Sequence, residues 1–140
     1  MYQNTARVHF NNHTERDGHF GRCIVYGGHV LSIARALSFN GLGNLVHLVA
    51  INAGHHVNAC FAGDTIYAWS EVLDKAEVEG RHDVGLLRLR LVATKDRACA
   101  DFPLKGEDDS YDPSVLLDFD YWGVMPRRFE ETNRMQAPPG

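Results

Sequence analysis

The chain has 140 residues, of which 44% are hydrophobic, and its formal net charge is −4 at pH 7. This length suits one domain with a buried core, and the negative charge without a basic run argues against nucleic acid as a partner. The first residues, MYQNTARVHF, lack the basic-then-apolar order of a secretory leader. We therefore expect a cytoplasmic protein that does not bind a membrane.

The cysteines and histidines give little sign of a metal or disulfide framework. Cys23, Cys60 and Cys99 are odd in number and widely spaced, which favours free thiols in a reducing compartment. A catalytic cysteine is the alternative, although no flanking motif marks one. The eight histidines come without an HExxH or CxxC pattern, so we expect no metal site.

A polar segment precedes the most apolar part of the chain. Residues 2–19 are rich in Asn and His and are predicted to form a surface loop. Residues 30–39 are apolar on nearly every side of a helix, which predicts a buried helix that is too short to cross a membrane. Asn40 and Gly41 provide a signal for its end.

Three or four strands are predicted after this helix, from strand-like stretches at residues 45–58, 65–78, 84–94 and 115–125. Gly54 predicts a bend or bulge in the first. The third is the clearest, because Leu87, Leu89 and Leu91 alternate with arginines. Residues 79–83 are predicted to form a hairpin connection. Residues 95–113 are predicted to form a polar surface insertion, called the excursion below. One helix followed by strands predicts an α+β fold, in which a curved antiparallel sheet wraps around a long helix.

The chain resembles the MaoC-like dehydratases, the R-specific enoyl-CoA hydratases. Their motif places an Asp five residues before a His, then Phe-Gly-Arg, a Gly at a helix start, and later Pro-Gly-Asp-Thr before a long strand. The matching positions here are Asn4, His9, residues 20–22 (FGR), Gly27 and residues 62–65 (AGDT).

This resemblance implies a hot-dog domain over residues 1–127, followed by a polar tail over residues 128–140. Its details are closest to double hot-dog enzymes that act on mesaconyl-type thioesters, and this chain corresponds to their C-terminal half. The usual N-terminal strand is missing, so we expect an unfilled sheet edge that another chain covers. The implied partners are an acyl-CoA substrate and either a second copy or a second hot-dog domain.

The resemblance also implies roles for individual residues, with no cofactor and no metal. It assigns Asn4, His9 and Gly27 to catalysis. It assigns Tyr26, Gly28 and Arg22 to substrate binding.

Each of these assignments has a plainer alternative. His9 suits acid–base chemistry because histidine titrates near neutral pH, but it can be a solvated loop residue. Gly27 and Gly28 can offer N–H groups to an oxyanion, or they can simply let the loop pack closely. Asn4 replaces the family Asp; an amide can orient water but cannot take its proton, and Asn is also a common turn residue. His13 is a spare base without a counterpart in the motif.

Two further groups of polar residues are left open by the sequence. Cations that could meet a substrate carboxylate or the CoA phosphates are Arg7, Arg22, Arg35, Arg88 and Arg90. A second polar cluster is a pocket wall or a subunit contact, and consists of Asn52, His55, His56 and Asn58.

The sequence therefore predicts an acyl-CoA hydratase or dehydratase. The alternative is a non-catalytic acyl-CoA-binding or structural half, which Asn4 and the missing strand favour. A thioesterase is less favoured, because no carboxylate lies near the helix start.

Overall fold

The computed structural model describes residues 4–128. Four antiparallel strands form one sheet in the order β1-β4-β3-β2. Their bounds are β1 His47–His56, β2 Ile66–Glu77, β3 Val84–Lys95 and β4 Val115–Pro126. The prediction of three or four strands is confirmed, and each strand-like stretch forms a strand within a few residues of its predicted ends. The tail predicted for residues 128–140 lies, except for its first residue, outside the described residues.

The main helix, α2, spans Gly27–Leu37 and packs mainly on β2 and β3. Val30 and Ala34 on its inner side are fully buried among sheet residues, so the predicted arrangement of one helix against an antiparallel sheet is confirmed. The prediction of burial on nearly all sides was wrong for the described residues, because Leu37 at the end of α2 is 50% exposed. An apolar pattern marks a helix that tends to bury its faces, but it does not supply a layer to cover each one.

The predicted end of the helix at Asn40 and Gly41 was also wrong. The helix ends earlier, at Leu37, where the Ser38 hydroxyl donates to the Arg35 carbonyl oxygen at 2.7 Å. A short helix, α3, then runs over Phe39–Leu42 and contains Gly41. A side chain that binds the carbonyl groups of the last turn stops the helix before the glycine is reached.

The predicted loop over residues 2–19 contains two short helical turns within the described residues. A 3₁₀ turn spans Arg7–His9, and helix α1 spans Asn12–Glu15. The side-chain oxygen of Asn11 accepts from the Thr14 N–H at 3.2 Å and so caps α1. An ion pair between Arg7 and Glu15, 3.1 Å apart, joins the two turns.

Strand β1 lies at an edge of the sheet and is exposed along its whole length in the described chain. It pairs with β4 on one side, and its register shifts between Leu48 and Ala50 and again between Ile51 and Ala53. The predicted irregularity at Gly54 therefore occurs two and five residues earlier, at Asn52 and Val49. Edge strands with free N–H and C=O groups are ready to pair with another chain.

The excursion between β3 and β4 is tied to the sheet by its side chains. Arg97 forms ion pairs with Asp101 and Asp112 within the excursion. The Trp69 indole on β2 donates to the Pro103 carbonyl oxygen at 3.2 Å, and the Tyr111 hydroxyl donates to Asp118 on β4 at 2.9 Å. In residues 4–128 there is no helix long and apolar enough to span a bilayer.

Candidate active site

A cleft of about 280 Å³ opens where the start of α2 meets the end of β1. Four separate parts of the chain form its walls, one of which is Leu116 on β4. The 3₁₀ turn and the segment leading into α2 form one wall, α2 contributes its first turn, and the chain after β1 closes the site. The lining side chains and backbone include His9, Ile24, Tyr26, Gly27, Val30, His56, Asn58 and Cys60.

His9 is held in the cleft by the backbone of the segment that precedes α2. Its Nδ1 atom lies 3.1 Å from the carbonyl oxygen of Ile24, and the Ile24 N–H donates to the Val8 carbonyl oxygen at 3.0 Å. Because a carbonyl oxygen can only accept, Nδ1 carries the proton in this contact, and Nε2 of the neutral ring is left to accept one. This is the arrangement that a general base needs.

Tyr26 connects His9 to the start of the helix. Its ring lies edge-on to the His9 ring, with 5.5 Å between centroids. It is also the residue immediately before α2, and its carbonyl oxygen accepts from the N–H groups of His29 and Val30. Gly27 and Gly28 come before the first of these bonds, so their N–H groups belong to the first helical turn, whose N–H groups have no acceptor within the helix.

Both glycines are covered by aromatic rings. A Cβ at Gly28 would lie 2.4 Å from Cε1 of Tyr26, and a Cβ at Gly27 would lie 2.5 Å from Cε1 of His56. Close packing therefore requires glycine at both positions. Gly27 lines the cleft, so its N–H lies beside the space that a ligand would occupy, and the packing and oxyanion interpretations are compatible at this residue.

Asn4 and Arg22 do not line the cleft. The Asn4 Oδ1 atom accepts from the Ala6 N–H at 2.8 Å, which is the local turn that Asn commonly forms. The Arg22 guanidinium carbon lies 3.9 Å from the centre of the Phe61 ring, next to the cleft residue Cys60. The structure thus brings His9, Tyr26 and Gly27 together, and Gly28 lies beneath the Tyr26 ring.

Most of the other arginines that were candidates for binding an anion face carboxylates. Arg88 binds Asp120 with a shortest distance of 2.6 Å, and Arg90 lies within 3.5 Å of both Asp118 and Glu71. Arg35 differs, because its guanidinium donates to the Ser38 hydroxyl and the Leu45 carbonyl oxygen.

The second polar cluster is divided by the structure. His56 and Asn58 line the cleft, whereas Asn52 donates to Asp120 at 2.9 Å on the face of the sheet that carries Arg88. His56 and Asn58 were candidates for a pocket wall without being assigned to the site. Even spacing along the strand was not a sufficient signal, because Asn52 shares it with His56 and Asn58 but lies at a register shift of β1.

Cys60 is a cleft residue that the sequence did not assign to the site. It is 5% exposed, and burial, together with the charge of Asp64, raises the pKa of its thiol. A raised pKa lowers the thiolate fraction, which disfavours a nucleophilic role. Within residues 4–128, no group of three or more His, Cys, Asp or Glu side chains is placed to hold a metal ion.

Two curated proteins are similar to this chain over most of its length. The β-methylmalyl-CoA dehydratase of Chloroflexus aurantiacus is 64% identical over 128 residues. The mesaconyl-CoA hydratase of Cereibacter sphaeroides is 57% identical over 127 residues. Each match covers 91% of this chain and 36% of the relative, so the chain spans about a third of the length of these proteins. No family model matches the chain.

Solved structures of MaoC-type dehydratases are also similar to this chain. A MaoC domain protein dehydratase from Chloroflexus aurantiacus superposes with a TM-score of 0.87 at 64% identity, over 91% of this chain and 36% of that one. A MaoC-like dehydratase from Rhodospirillum rubrum superposes with a TM-score of 0.62 at 16% identity, over 85% of this chain and 73% of that one. The second match supports the fold alone.

Proposed function

The chain belongs to the MaoC-like domains of hot-dog fold, and from this premise we propose that it carries hydratase and dehydratase chemistry on an enoyl-CoA thioester. The observation that carries the proposal is His9, which is held through Nδ1 by the Ile24 carbonyl and lies in the same cleft as Gly27. The names of the two curated relatives favour mesaconyl-CoA and β-methylmalyl-CoA as the substrate and product.

Hydration joins the oxygen of water to the β-carbon and a proton to the α-carbon. His9 Nε2 takes a proton from water as the carbon–oxygen bond forms. The π electrons of the double bond move toward the thioester and leave negative charge on its oxygen. The N–H of Gly27 then stabilises this oxygen, with Gly28 next to it, and one such donor contributes about 2.7–4 kcal/mol in oxyanion sites elsewhere. The protonated His9 then gives this proton to the α-carbon, which completes the addition and returns His9 to its starting state, and dehydration is the reverse.

Asn4 has a smaller part in this proposal than the resemblance gives it. Its Oδ1 atom is used in the turn with Ala6, so it shapes the loop that carries His9. The role of holding water stays a prediction, and Asn4→Asp tests it because a carboxylate keeps the acceptor of the turn and adds a base. Tyr26, which lines the cleft, and Arg22, which lies over the Phe61 ring next to it, are proposed to contact the substrate.

A second hot-dog unit is the proposed partner, as a second copy or as a companion domain. Residues 1–127 form one unit in this proposal. Among the described residues, strand β1 has a neighbour on one side only, and its side chains include Leu48 at 42% and Ile51 at 60% exposure. Apolar side chains exposed on an edge strand suit pairing between sheets.

The test follows loss of the enoyl-thioester absorbance with mesaconyl-CoA and crotonyl-CoA. It uses the chain alone and the chain combined with the remaining part of a longer relative. His9→Ala is expected to lower the hydration rate by about 10²- to 10⁴-fold, the usual range for a general base. His13→Ala is the matched control, because His13 lies in α1 and does not line the cleft. Full activity of His9→Ala would contradict the proposed mechanism.

The second candidate function is a non-catalytic acyl-CoA-binding half. Asn4 at the position of the family Asp favours it. It predicts that acyl-CoA binds without loss of the enoyl-thioester absorbance, both for the chain alone and for the chain with its companion. It also predicts no gain of activity in Asn4→Asp. Turnover by the chain alone would favour a site completed within one hot dog or its dimer, and turnover only with the companion would favour a site shared between two domains.

A further inference from the structure

His56 lies against the helix start that the proposed mechanism uses. It is the last residue of β1. A Cβ built at Gly27 would lie 2.5 Å from Cε1, 2.7 Å from Nε2 and 2.9 Å from Nδ1 of the His56 ring. The polar edge of the imidazole, with both ring nitrogens, is therefore the part that covers Gly27. His56 also lines the cleft that contains His9.

The sheet fixes where this side chain is placed. His56 pairs with Leu117 of β4, and the next residue, Val57, donates its N–H to the Leu116 carbonyl oxygen at 2.9 Å. Gly54, two residues earlier on the same side, lies against the Phe119 ring. The register of β1 on β4 therefore carries the imidazole to the first turn of α2.

Packing alone does not account for a histidine here. A phenyl ring would fill the space over Gly27 equally well, and His56 is exposed to the cleft. An imidazole adds an N–H donor close to the Gly27 backbone. Donors that converge on one oxygen are the means by which sites of this kind stabilise developing charge.

We infer that His56 is a further catalytic residue, whose ring N–H donates a hydrogen bond to the thioester oxygen beside the N–H of Gly27. This inference rests on the proposed hydratase function. No proton is transferred in this role: the donor strengthens its bond to oxygen as the enolate forms, and relaxes as the α-carbon is protonated. His56 and His9 thus act at different ends of the reacting group, one on the oxygen and one on water.

Two substitutions distinguish the effect of the His56 N–H donor from the effect of its ring shape. His56→Phe keeps a ring and removes both nitrogens, whereas His56→Gln keeps an N–H donor without the ring. We expect His56→Phe to lower kcat by about 10²- to 10³-fold, as loss of one oxyanion donor does elsewhere, with a small change in KM. We expect His56→Gln to stay within about tenfold of the unsubstituted protein. His55→Phe is the control, because His55 pairs with Asp118 and does not line the cleft.

Full kcat in His56→Phe would overturn the inference, and so would equal losses in the Phe and Gln variants, because the N–H donor that Gln keeps would then have no effect on the rate. Thermal unfolding of each variant checks that it folds. If His56→Phe does not fold, His56→Leu replaces it, since leucine also lacks a donor.

A second readout does not depend on turnover. In a His9→Ala background, the carbonyl stretching frequency of bound crotonyl-CoA reports hydrogen bonds to the thioester oxygen. We expect the shift to lower frequency to decrease when His56→Phe is added and to persist with His56→Gln. An unchanged shift in His56→Phe would overturn the inference. If neither the chain alone nor the chain with its companion hydrates the substrate, the proposed function is contradicted. A carbonyl frequency shift that still depends on His56 would in that case support the contact between His56 and the thioester oxygen on its own.

Discussion

The ring of Tyr26 lies over the backbone of Gly28, two residues further along the chain. A Cβ at Gly28 would be 2.4 Å from Cε1 and 2.8 Å from Cζ of this ring. The same ring meets the edge of His9 at a centroid distance of 5.5 Å. The backbone of the first turn of α2 therefore sets the position of one wall of the proposed active site.

We expect Gly28→Ala to move Tyr26 away from His9. The added methyl group cannot share space with the ring, and overpacking of this kind costs about 1–3 kcal/mol, which offsets the gain of about 0.5–1 kcal/mol that alanine brings to a helix. The expected result is an unfolding free energy that does not rise, together with slower hydration of enoyl-CoA. Urea unfolding and the absorbance assay measure the two effects.

Gly41→Ala is the matched control, because a Cβ at Gly41 meets nothing within 4 Å and Gly41 lies within α3. This variant is expected to gain about 0.5–1 kcal/mol from helix propensity with unchanged activity. Equal gains in stability for both variants would mean that Tyr26 moves aside without cost.

The edge of the sheet gives a second prediction. Ile51 on β1 is 60% exposed, and the proposed partner would cover it. Ile51→Lys is expected to weaken association with a second copy or a companion hot-dog domain, because a buried ammonium group is costly. Molar mass measured by light scattering over a range of concentrations follows the association.

Val72→Lys provides the comparison at the opposite edge of the sheet. Val72 lies on β2 and is 48% exposed, and pairing through β1 leaves it free. Association that is lost in Val72→Lys and kept in Ile51→Lys would move the proposed contact to β2.

The fold could be predicted from the sequence to a large extent, for a physical reason. Leu89 and Leu91 on β3 are fully buried, while Arg88 and Arg90 contact carboxylates on the other face. The alternation of apolar and charged residues in the sequence predicts these two faces. The exposure of Leu37 could not be predicted, because an apolar residue does not show whether another layer covers it.

The candidate site was predicted less completely. A motif made His9 and Gly27 candidates, and both line the cleft, but the placement of His56 depends on the irregular register of β1. The second shift falls at Asn52 and changes the face on which the side chains after it appear, so regular alternation, which groups Asn52 with His56, could not assign His56 to the cleft. The turn between Asn4 and Ala6 is local chemistry that was considered from sequence as an alternative to a catalytic role.

The thiol of Cys60 gives a third prediction. Burial and the charge of Asp64 raise its pKa, so at neutral pH it holds less thiolate than an ordinary cysteine. We expect iodoacetamide to modify Cys23 and Cys99 before Cys60, since both are more exposed. Mass spectrometry of peptides after timed labelling measures the order, and labelling in urea should remove the difference. Fastest modification of Cys60 in the folded protein would contradict this and revive a nucleophilic role.

A fourth prediction concerns stability in acid. Arg88 donates to Asp120, Asn52 adds a further hydrogen bond, and both lower the pKa of the Asp120 carboxyl. A carboxyl with a pKa that is lower in the folded than in the unfolded state stabilises the fold above its unfolded pKa of about 3.9. This contribution is lost as the pH falls from there through the folded pKa. The unfolding free energy of the protein should therefore decrease below about pH 4, and Arg88→Met should make that decrease shallower.

Arg81→Met tests whether an ion pair between residues close in sequence contributes to acid stability as much as a pair between distant residues. Arg81 lowers the pKa of Asp83 to about 2, but the two residues are two positions apart and both are exposed, whereas Arg88 and Asp120 are 32 apart. A pair so close in sequence can also form in the unfolded chain, so it does little to favour folding. Urea unfolding between pH 2 and pH 7 should show a clear change of slope for Arg88→Met and little for Arg81→Met, and the reverse order would mean that the local pair forms only on folding.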